Sequence, residues 1–312
     1  MLAFGALLLF LAGCATPQAE SLLADPGGLP VRAEVAKVPF YPQEKFYCGP
    51  AAMAMALTWS GLPVTQEDIA TQVYTPGREG SLRNDMLAGA RRNGRLAVRV
   101  RSLRAMLQEI AAGNPVLVFQ NLGLSWYTRW HYAVAFGYDF DQNALLLRSG
   151  VTARRVMGLA LFERTWARGD YWAITVLPPG RLPVTATEQD VLVAAIGLEN
   201  AGRSAAAAAA YAAMAARWPD SLGAQMGLGN ARFAAKDYAG AEQAFRAAVT
   251  RHPKAADAWN NLAYALIRQG RREAALAAAR KAVEIGGPRA DAYRDTLREL
   301  SDKMARYSLK AS

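Results

Sequence analysis

The feature that most constrains this chain is a period of 34 residues in its C-terminal part. Pro219 and Pro253 stand 34 apart, and Gly287-Pro288 falls at the next step. Leu228-Gly229 matches Leu262-Ala263 at the same offset, Ala241 matches Ala275, and Ala248 matches Ala282. A unit of this length, rich in Ala, holds two helices and a turn. Small residues at fixed places let the paired helices approach, and the Pro or Gly ends each second helix. Such a unit cannot bury its apolar face alone, so the units must stack.

The stretch "AQMGLGNARFAAKDYAGAEQAFRAAVTRHP" carries this pattern best. "DAWNNLAYALIRQGRREAALAAARKAVEIG" keeps it, with Trp259 as its aromatic. The pattern resembles the tetratricopeptide repeat. A weaker unit at 188–221 precedes the two, and 290–309 reads as a capping helix, so the repeat domain spans 188–309. The resemblance implies a module that docks a protein partner. "PPGRLPVTAT" (178–187), with three prolines, reads as the linker before it.

The N-terminus is of another kind. "MLAFGALLLFLAGC" is uncharged and apolar to Gly13. The run is too short to span a bilayer as a stable helix, and it fits the core of a signal peptide. Leu11-Ala12-Gly13-Cys14 resembles the bacterial lipoprotein box, although no Lys or Arg precedes it. That resemblance implies cleavage after residue 13, lipidation of Cys14, and a membrane anchor. Ala15, in place of Asp, implies the outer membrane facing the periplasm. Residues 14–30 read as a Pro/Gly/Ala-rich tether.

The chain has only two cysteines. With Cys14 acylated, Cys48 has no intramolecular partner, and a free thiol in an oxidising compartment needs a reason. The net charge of +10 comes largely from Arg scattered along helical stretches. No basic run is interleaved with aromatics, so the charge fits a solvated face or a nearby anionic surface and argues against nucleic acid.

Residues 31–177 read as α+β. "GPAAMAMALTWSG", "TQEDIATQVY" and "SLRNDMLAGARRNG" predict helices, the second with Thr65 as N-cap. "LAVRV", "PVLVFQ", "HYAVAFGY", "ALLLRS" and "YWAITVL" predict strands, with a helix near 158–167 before the last.

Cys48 is either a small buried apolar residue or a nucleophile. It directly precedes Gly49-Pro50 and an apolar run. With Pro50 as the first helical residue, Cys48 would sit at the positive end of the helix, a place that lowers a thiol pKa from its free value near about 8.5. The chain has two histidines. His252, before Pro253, has a bland role at a helix C-terminus. His131, opening "HYAVAFGYD", remains as the base. Gln43 and the backbone N–H of Cys48 are candidate donors to an oxyanion.

"VPFYPQEKFYCGPAAMAMAL" followed by "HYAVAFGYD" resembles the papain-like cysteine peptidases of the bacteriocin-processing, double-glycine leader type. The resemblance covers residues 31–177. It implies a Cys/His/Asp triad with Gln in the oxyanion hole, onto which Cys48, His131 and Gln43 map. The third member departs from the pattern. Counting back from a turn near Asp141 sets Ser149 across from His131, where the family has Asp. Asp139 lies eight residues along the strand from His131. That is about 26 Å at about 3.3 Å per residue, too far to touch the ring. A backbone carbonyl is the other candidate orienter.

The expectation is thus a papain-like α+β peptidase domain followed by an all-α repeat domain. The protein would be a lipid-anchored thiol hydrolase acting on a peptide or protein. The alternative is a non-catalytic adaptor that binds peptide in a degenerate site. No cofactor is implied: the sequence has no metal-ligand spacing, P-loop or dinucleotide fingerprint.

Overall fold

The computed structural model describes residues 16–43 and 46–311, and side chains up to residue 302. The expected signal peptide and the lipidation site Cys14 lie outside the described residues. The chain divides into two units. One runs up to Gly89 and resumes over Arg99–Val176; the other joins Ala90–Val98 to everything from Leu177 on.

The first unit opens with α1 (Pro17–Ala24), β1 (Arg32–Glu34), α2 (Cys48–Trp59) and α3 (Gln66–Val73). A small hairpin follows, β2 (Tyr74–Thr75) and β3 (Gly80–Ser81), joined by a 3-10 turn at Pro76–Arg78. Next come α4 (Arg83–Arg92), whose last residues from Ala90 on belong to the second unit, as does β4 (Leu96–Arg99) up to Val98, and then α5 (Leu103–Ala111). Then come β5 (Val116–Asn121), β6 (Trp130–Asp139), β7 (Ala144–Ser149), β8 (Thr152–Gly158), α6 (Leu159–Ala167) and β9 (Ala173–Leu177).

Helix α2 is the centre of this unit. Every residue from Gly49 to Leu57 is buried, so no face of the helix is left for water. An all-round apolar helix of Ala and Met is stable only when covered on every side. It packs on β6, whose residues Tyr132–Tyr138 are buried as an unbroken run. The sheet runs β9-β5-β6-β7-β8, with antiparallel neighbours. β1 pairs with the far end of β6, Glu34 opposite Gly137. Helix α3 starts in the expected way, with Thr65 and Asp68 capping each other's backbone N–H at 3.1 Å.

The segment expected as a tether differs. Residues 17–24 form α1, which buries Ala19 and Leu22. Its first N–H groups, those of Gln18 and Ala19, donate to the carboxylate of Glu163 at 3.1 and 2.7 Å. A buried carboxylate at a helix N-terminus satisfies donors that the helix itself cannot.

The second unit is helical apart from residues near 96–98. It holds α7 (Glu188–Asn200), α8 (Ser204–Arg217), α9 (Leu222–Ala234), α10 (Tyr238–Arg251), α11 (Ala256–Arg268), α12 (Arg272–Ile285) and α13 (Ala290–Ala311). From α7 to α9 to α11, and from α8 to α10 to α12, the starts repeat at 34 residues. The unit takes in more than the expected 188–309. Leu96 and Val98 are buried in one cluster with Val191, Ala194 and Leu198. The Pro-rich linker is held too: Ala186 is buried, and Arg217 donates to the carbonyls of Pro183 and Val184. No helix among the described residues is long and apolar enough to cross a membrane.

Candidate active site

Cys48 is the first residue of α2, with Tyr47 as N-cap. Pro50, expected at the first helical position, is the third. A Pro there loses nothing, because the first N–H groups of a helix have no partner within it. Gly49 is required by close approach: a Cβ on it would fall 2.2 Å from Ser81 Oγ in β3. The small hairpin is thereby seated against the N-terminal turn of α2. Phe46, just before, has φ 68°, a left-handed backbone that is rare without glycine.

His131 is the second residue of β6 and Ser149 the last of β7. His131 Nε2 lies 2.8 Å from Ser149 Oγ. The register differs from the expected one. β6 and β7 pair Asp139 with Ala144 and, past an irregularity at Ala135–Gly137, Val134 with Arg148. One further step sets Ser149 across from Ala133. Ser149 therefore reaches His131 as a diagonal neighbour on the same face, within range of an imidazole. Asp139 is engaged at the far turn, where it accepts from the backbone and side-chain N–H groups of Gln142.

Gln43 is fixed next to this pair. Its N–H donates to the Gly150 carbonyl, and its Oε1 accepts from the Gly150 N–H, both at 3.0 Å. The amide is thus oriented with Nε2 on the other side, 3.5 Å from the Tyr132 carbonyl. A chain of contacts runs from Gln43 through Gly150 and Ser149 to His131 and Tyr132. Gln43, Cys48, His131 and Gly150 line one cleft of about 920 Å³.

The electrostatics differ from the expectation of a low-pKa thiol. Burial pushes the Cys48 thiol up, outweighing the backbone N–H groups of Tyr132, Gly49 and Cys48 itself. Burial also pushes His131 down to about 4, and the positive charges of Arg155 and Arg129 add to the shift. Helix position alone does not lower a thiol pKa when desolvation is larger. Both shifts disfavour a thiolate–imidazolium pair.

The sequence did not single out Tyr132, yet its backbone N–H faces the Cys48 sulfur. Its phenol donates to the Ser81 carbonyl at 3.2 Å, and burial raises its pKa. Also missed was the aromatic wall. Phe119 stacks on Trp130 at 5.0 Å and contacts Tyr132 at 4.6 Å between ring centres. The signal was available in "WHY", where Trp130 and Tyr132 flank His131 and so share one face of a strand. Among the described residues, no group of three His, Cys, Asp or Glu is placed to hold a metal.

The comparisons with known proteins divide along the chain. The peptidase C39-like family matches residues 35–168. The tetratricopeptide repeat matches 192–253 and 237–293. Among solved structures, a C39-like peptidase from Bacillus anthracis is 18% identical over 47% of this chain and 97% of its own, with a TM-score of 0.41. MamA from Desulfovibrio magneticus RS-1 is 21% identical over 49% of this chain and 78% of its own, with a TM-score of 0.37. The Yersinia enterocolitica type III secretion chaperone SycD, in complex with a peptide of the translocator YopD, is 16% identical over 41% of this chain and 99% of its own, with a TM-score of 0.36. No curated protein matches the chain. The chain therefore carries a domain of the peptidase C39-like family, followed by tetratricopeptide repeats.

Proposed function

We propose that the first unit is a cysteine peptidase. The observation that carries this reading is the gathering of Cys48, the His131–Ser149 pair and the oriented Gln43 amide around one cleft. In this mechanism neutral His131 takes the proton of Cys48 as the sulfur attacks the scissile carbonyl. With Nε2 held by Ser149, Nδ1 is the nitrogen left for the thiol. The Gln43 Nε2 and the Cys48 N–H stabilise the oxyanion, His131 gives its proton to the leaving amine, and water then hydrolyses the acyl-enzyme. The thiolate forms in the course of attack, not before it, because both pKa shifts oppose a resting ion pair. The test is cleavage of a random peptide pool. Wild type should cut, while Cys48→Ala and His131→Ala should not. Equal cleavage by Cys48→Ala would end the reading.

A second reading, a peptide-binding adaptor without turnover, is favoured by one feature: Ser149 stands where a carboxylate would stabilise the imidazolium. Iodoacetamide labelling separates the two. A catalytic thiol reacts in a manner that depends on His131, and a merely buried one does not.

We further propose that Cys14 is lipidated and holds the protein at the outer membrane facing the periplasm, with the repeats docking a protein partner. The box Leu11-Ala12-Gly13-Cys14 supports the anchor. The match of residues 192–253 and 237–293 to the tetratricopeptide repeat supports the docking role. Cys14→Ser should release the protein from membranes and abolish palmitate incorporation. A Ser variant that still pellets, together with wild type that takes up no palmitate, would rule the anchor out.

A further inference from the structure

One rim of the cleft is built more firmly than a surface loop needs. The connection from β5 to β6 is braced by buried Asn121. Its Oδ1 accepts the N–H groups of Gly123 and Arg129 at 2.9 and 2.8 Å, and its Nδ2 donates to the Leu124 carbonyl at 3.1 Å. The guanidinium of Arg168 holds the Asn121 carbonyl at 3.2 and 3.1 Å. Leu122 N–H closes the loop on the Arg129 carbonyl at 2.9 Å.

This braced loop presents two chemistries side by side. Arg129 has its backbone fixed on both sides, while its guanidinium meets no carboxylate among the described residues. Trp130 is 51% exposed, yet stacked flat on Phe119 with an interplanar angle of 11°. The other cleft charges do not cancel Arg129. Arg83 is paired with Asp170 at 2.9 Å, and Arg78 stands beside Glu79 in the turn of the small hairpin. Among the described residues, the lining thus carries three guanidinium groups against two carboxylates. An exposed ring on a rigid platform marks a binding surface, and an unpaired cation next to it sets the sign of what binds.

We propose that the cleft selects an extended peptide segment in which an acidic residue stands beside a large apolar one. The apolar side chain lies on the Trp130–Phe119 stack, and the carboxylate pairs with Arg129. This rests on the peptide-substrate reading of the same cleft and adds the class of sequence it takes. Arg129 and Trp130 are specificity-determining residues here; neither enters the bond-breaking step.

The test uses the full chain with Cys48→Ala, so that binding is read without cleavage. Fluorescence anisotropy is measured for labelled octapeptides that differ only at a central pair: Phe-Glu, Phe-Gln, Phe-Lys and Ala-Glu. Phe-Glu should bind about tenfold tighter than Phe-Gln, as expected for one charge-assisted contact, with Phe-Lys weakest. Adding Arg129→Gln should remove the Glu-over-Gln preference and keep the Phe-over-Ala preference. Adding Trp130→Ala should do the reverse. Equal binding of Phe-Glu, Phe-Gln and Phe-Lys, or no binding of any, would overturn the proposal. So would a shift of tryptophan fluorescence on vesicles of anionic lipid in the absence of peptide binding, which would assign the rim to a membrane. Wild type is then given the same peptides. Selective binding without cleavage would sink the peptidase reading and leave this one standing. Cleavage without acidic preference would do the opposite.

Discussion

His131 Nε2 lies 2.8 Å from the hydroxyl of Ser149, and the charges acting on this imidazole are the cations Arg155 and Arg129. A hydroxyl orients the ring but cannot stabilise its charged form as a carboxylate does. The hydrogen bond therefore fixes the ring without favouring its protonated form. This arrangement decides what substitutions here should do.

Ser149→Asp should raise the His131 pKa from about 4 and move the pH profile of Cys48 alkylation to lower pH. Ser149→Ala should slow alkylation by about three- to tenfold, the worth of one hydrogen bond. Asp139→Asn should leave the profile unchanged, because that carboxylate is spent on Gln142 at the distant turn. Loss of Cys48 reactivity in a folded Asp139→Asn protein, with Ser149→Ala silent, would mean that the orienter has been misassigned.

The depressed His131 pKa also predicts a slope of stability with pH. The folded state binds this proton more weakly than the unfolded chain does. The contribution is therefore complete above the unfolded value near 6.5 and is lost as pH falls toward about 4. Its upper bound is roughly 3 kcal/mol, less whatever solvent screening removes at a half-buried ring. Thermal unfolding followed from pH 7 to pH 4 should show a flatter dependence in His131→Gln than in wild type. Cys48 has the opposite sign: its raised pKa contributes stability at neutral pH that fades as pH rises past about 8.5.

Helix α1 depends on a carboxylate far away in sequence. Glu163 is fully buried and accepts two N–H groups from the first turn of α1. Glu163→Ala should leave those donors unpaired and detach residues 17–24, at a cost of about 1–3 kcal/mol locally. Hydrogen exchange should then quicken over α1 while α2 stays protected. Unchanged exchange in α1 would show that Ala19 and Leu22 hold the helix without the carboxylate.

What could be read from the chain, and what could not, follows from the range of the interactions. The 34-residue period is local, each repeat touching its neighbours, so the helices from α7 to α12 are visible in the spacing of Pro and small residues. The all-apolar "GPAAMAMAL" likewise announces a buried helix. In contrast, α1 is stabilised by Glu163, and nothing in "PQAESLLA" itself reveals that partner. β8 was missed because it is an exposed edge whose "TARRV" shows no alternation, and β1 because it is three residues long. The place of Ser149 beside His131 was legible, but the register was not. An extra residue at the irregularity near Phe136 changes which residues are opposite without separating the pair. The pKa of Cys48 was misread for a similar reason. The helix N-terminus is visible in the sequence, whereas the amount of protein covering the sulfur is not.

The repeats offer the sharpest test of packing. At Gly229 in α9 a Cβ would fall 2.4 Å from the ring of Phe245 in α10, itself buried. One period later the same two places hold Ala263 and Ala279, both fully buried. The second pair of helices thus replaces small-against-small by glycine-against-aromatic. Gly229→Ala should cost about 1–3 kcal/mol by overpacking, although Ala is the better helix former. Gly180→Ala, where no atom lies within 4 Å, should be near neutral. Phe245→Ala alone leaves a cavity and should cost about 3–5 kcal/mol. The double variant Gly229→Ala with Phe245→Ala restores the pairing of the next repeat. It should lose less than the two single losses combined, by more than about 0.5 kcal/mol, since residues in contact do not add. The measurement is the midpoint of helical circular dichroism on heating. Strict additivity of the two changes would mean that this glycine is not placed by Phe245.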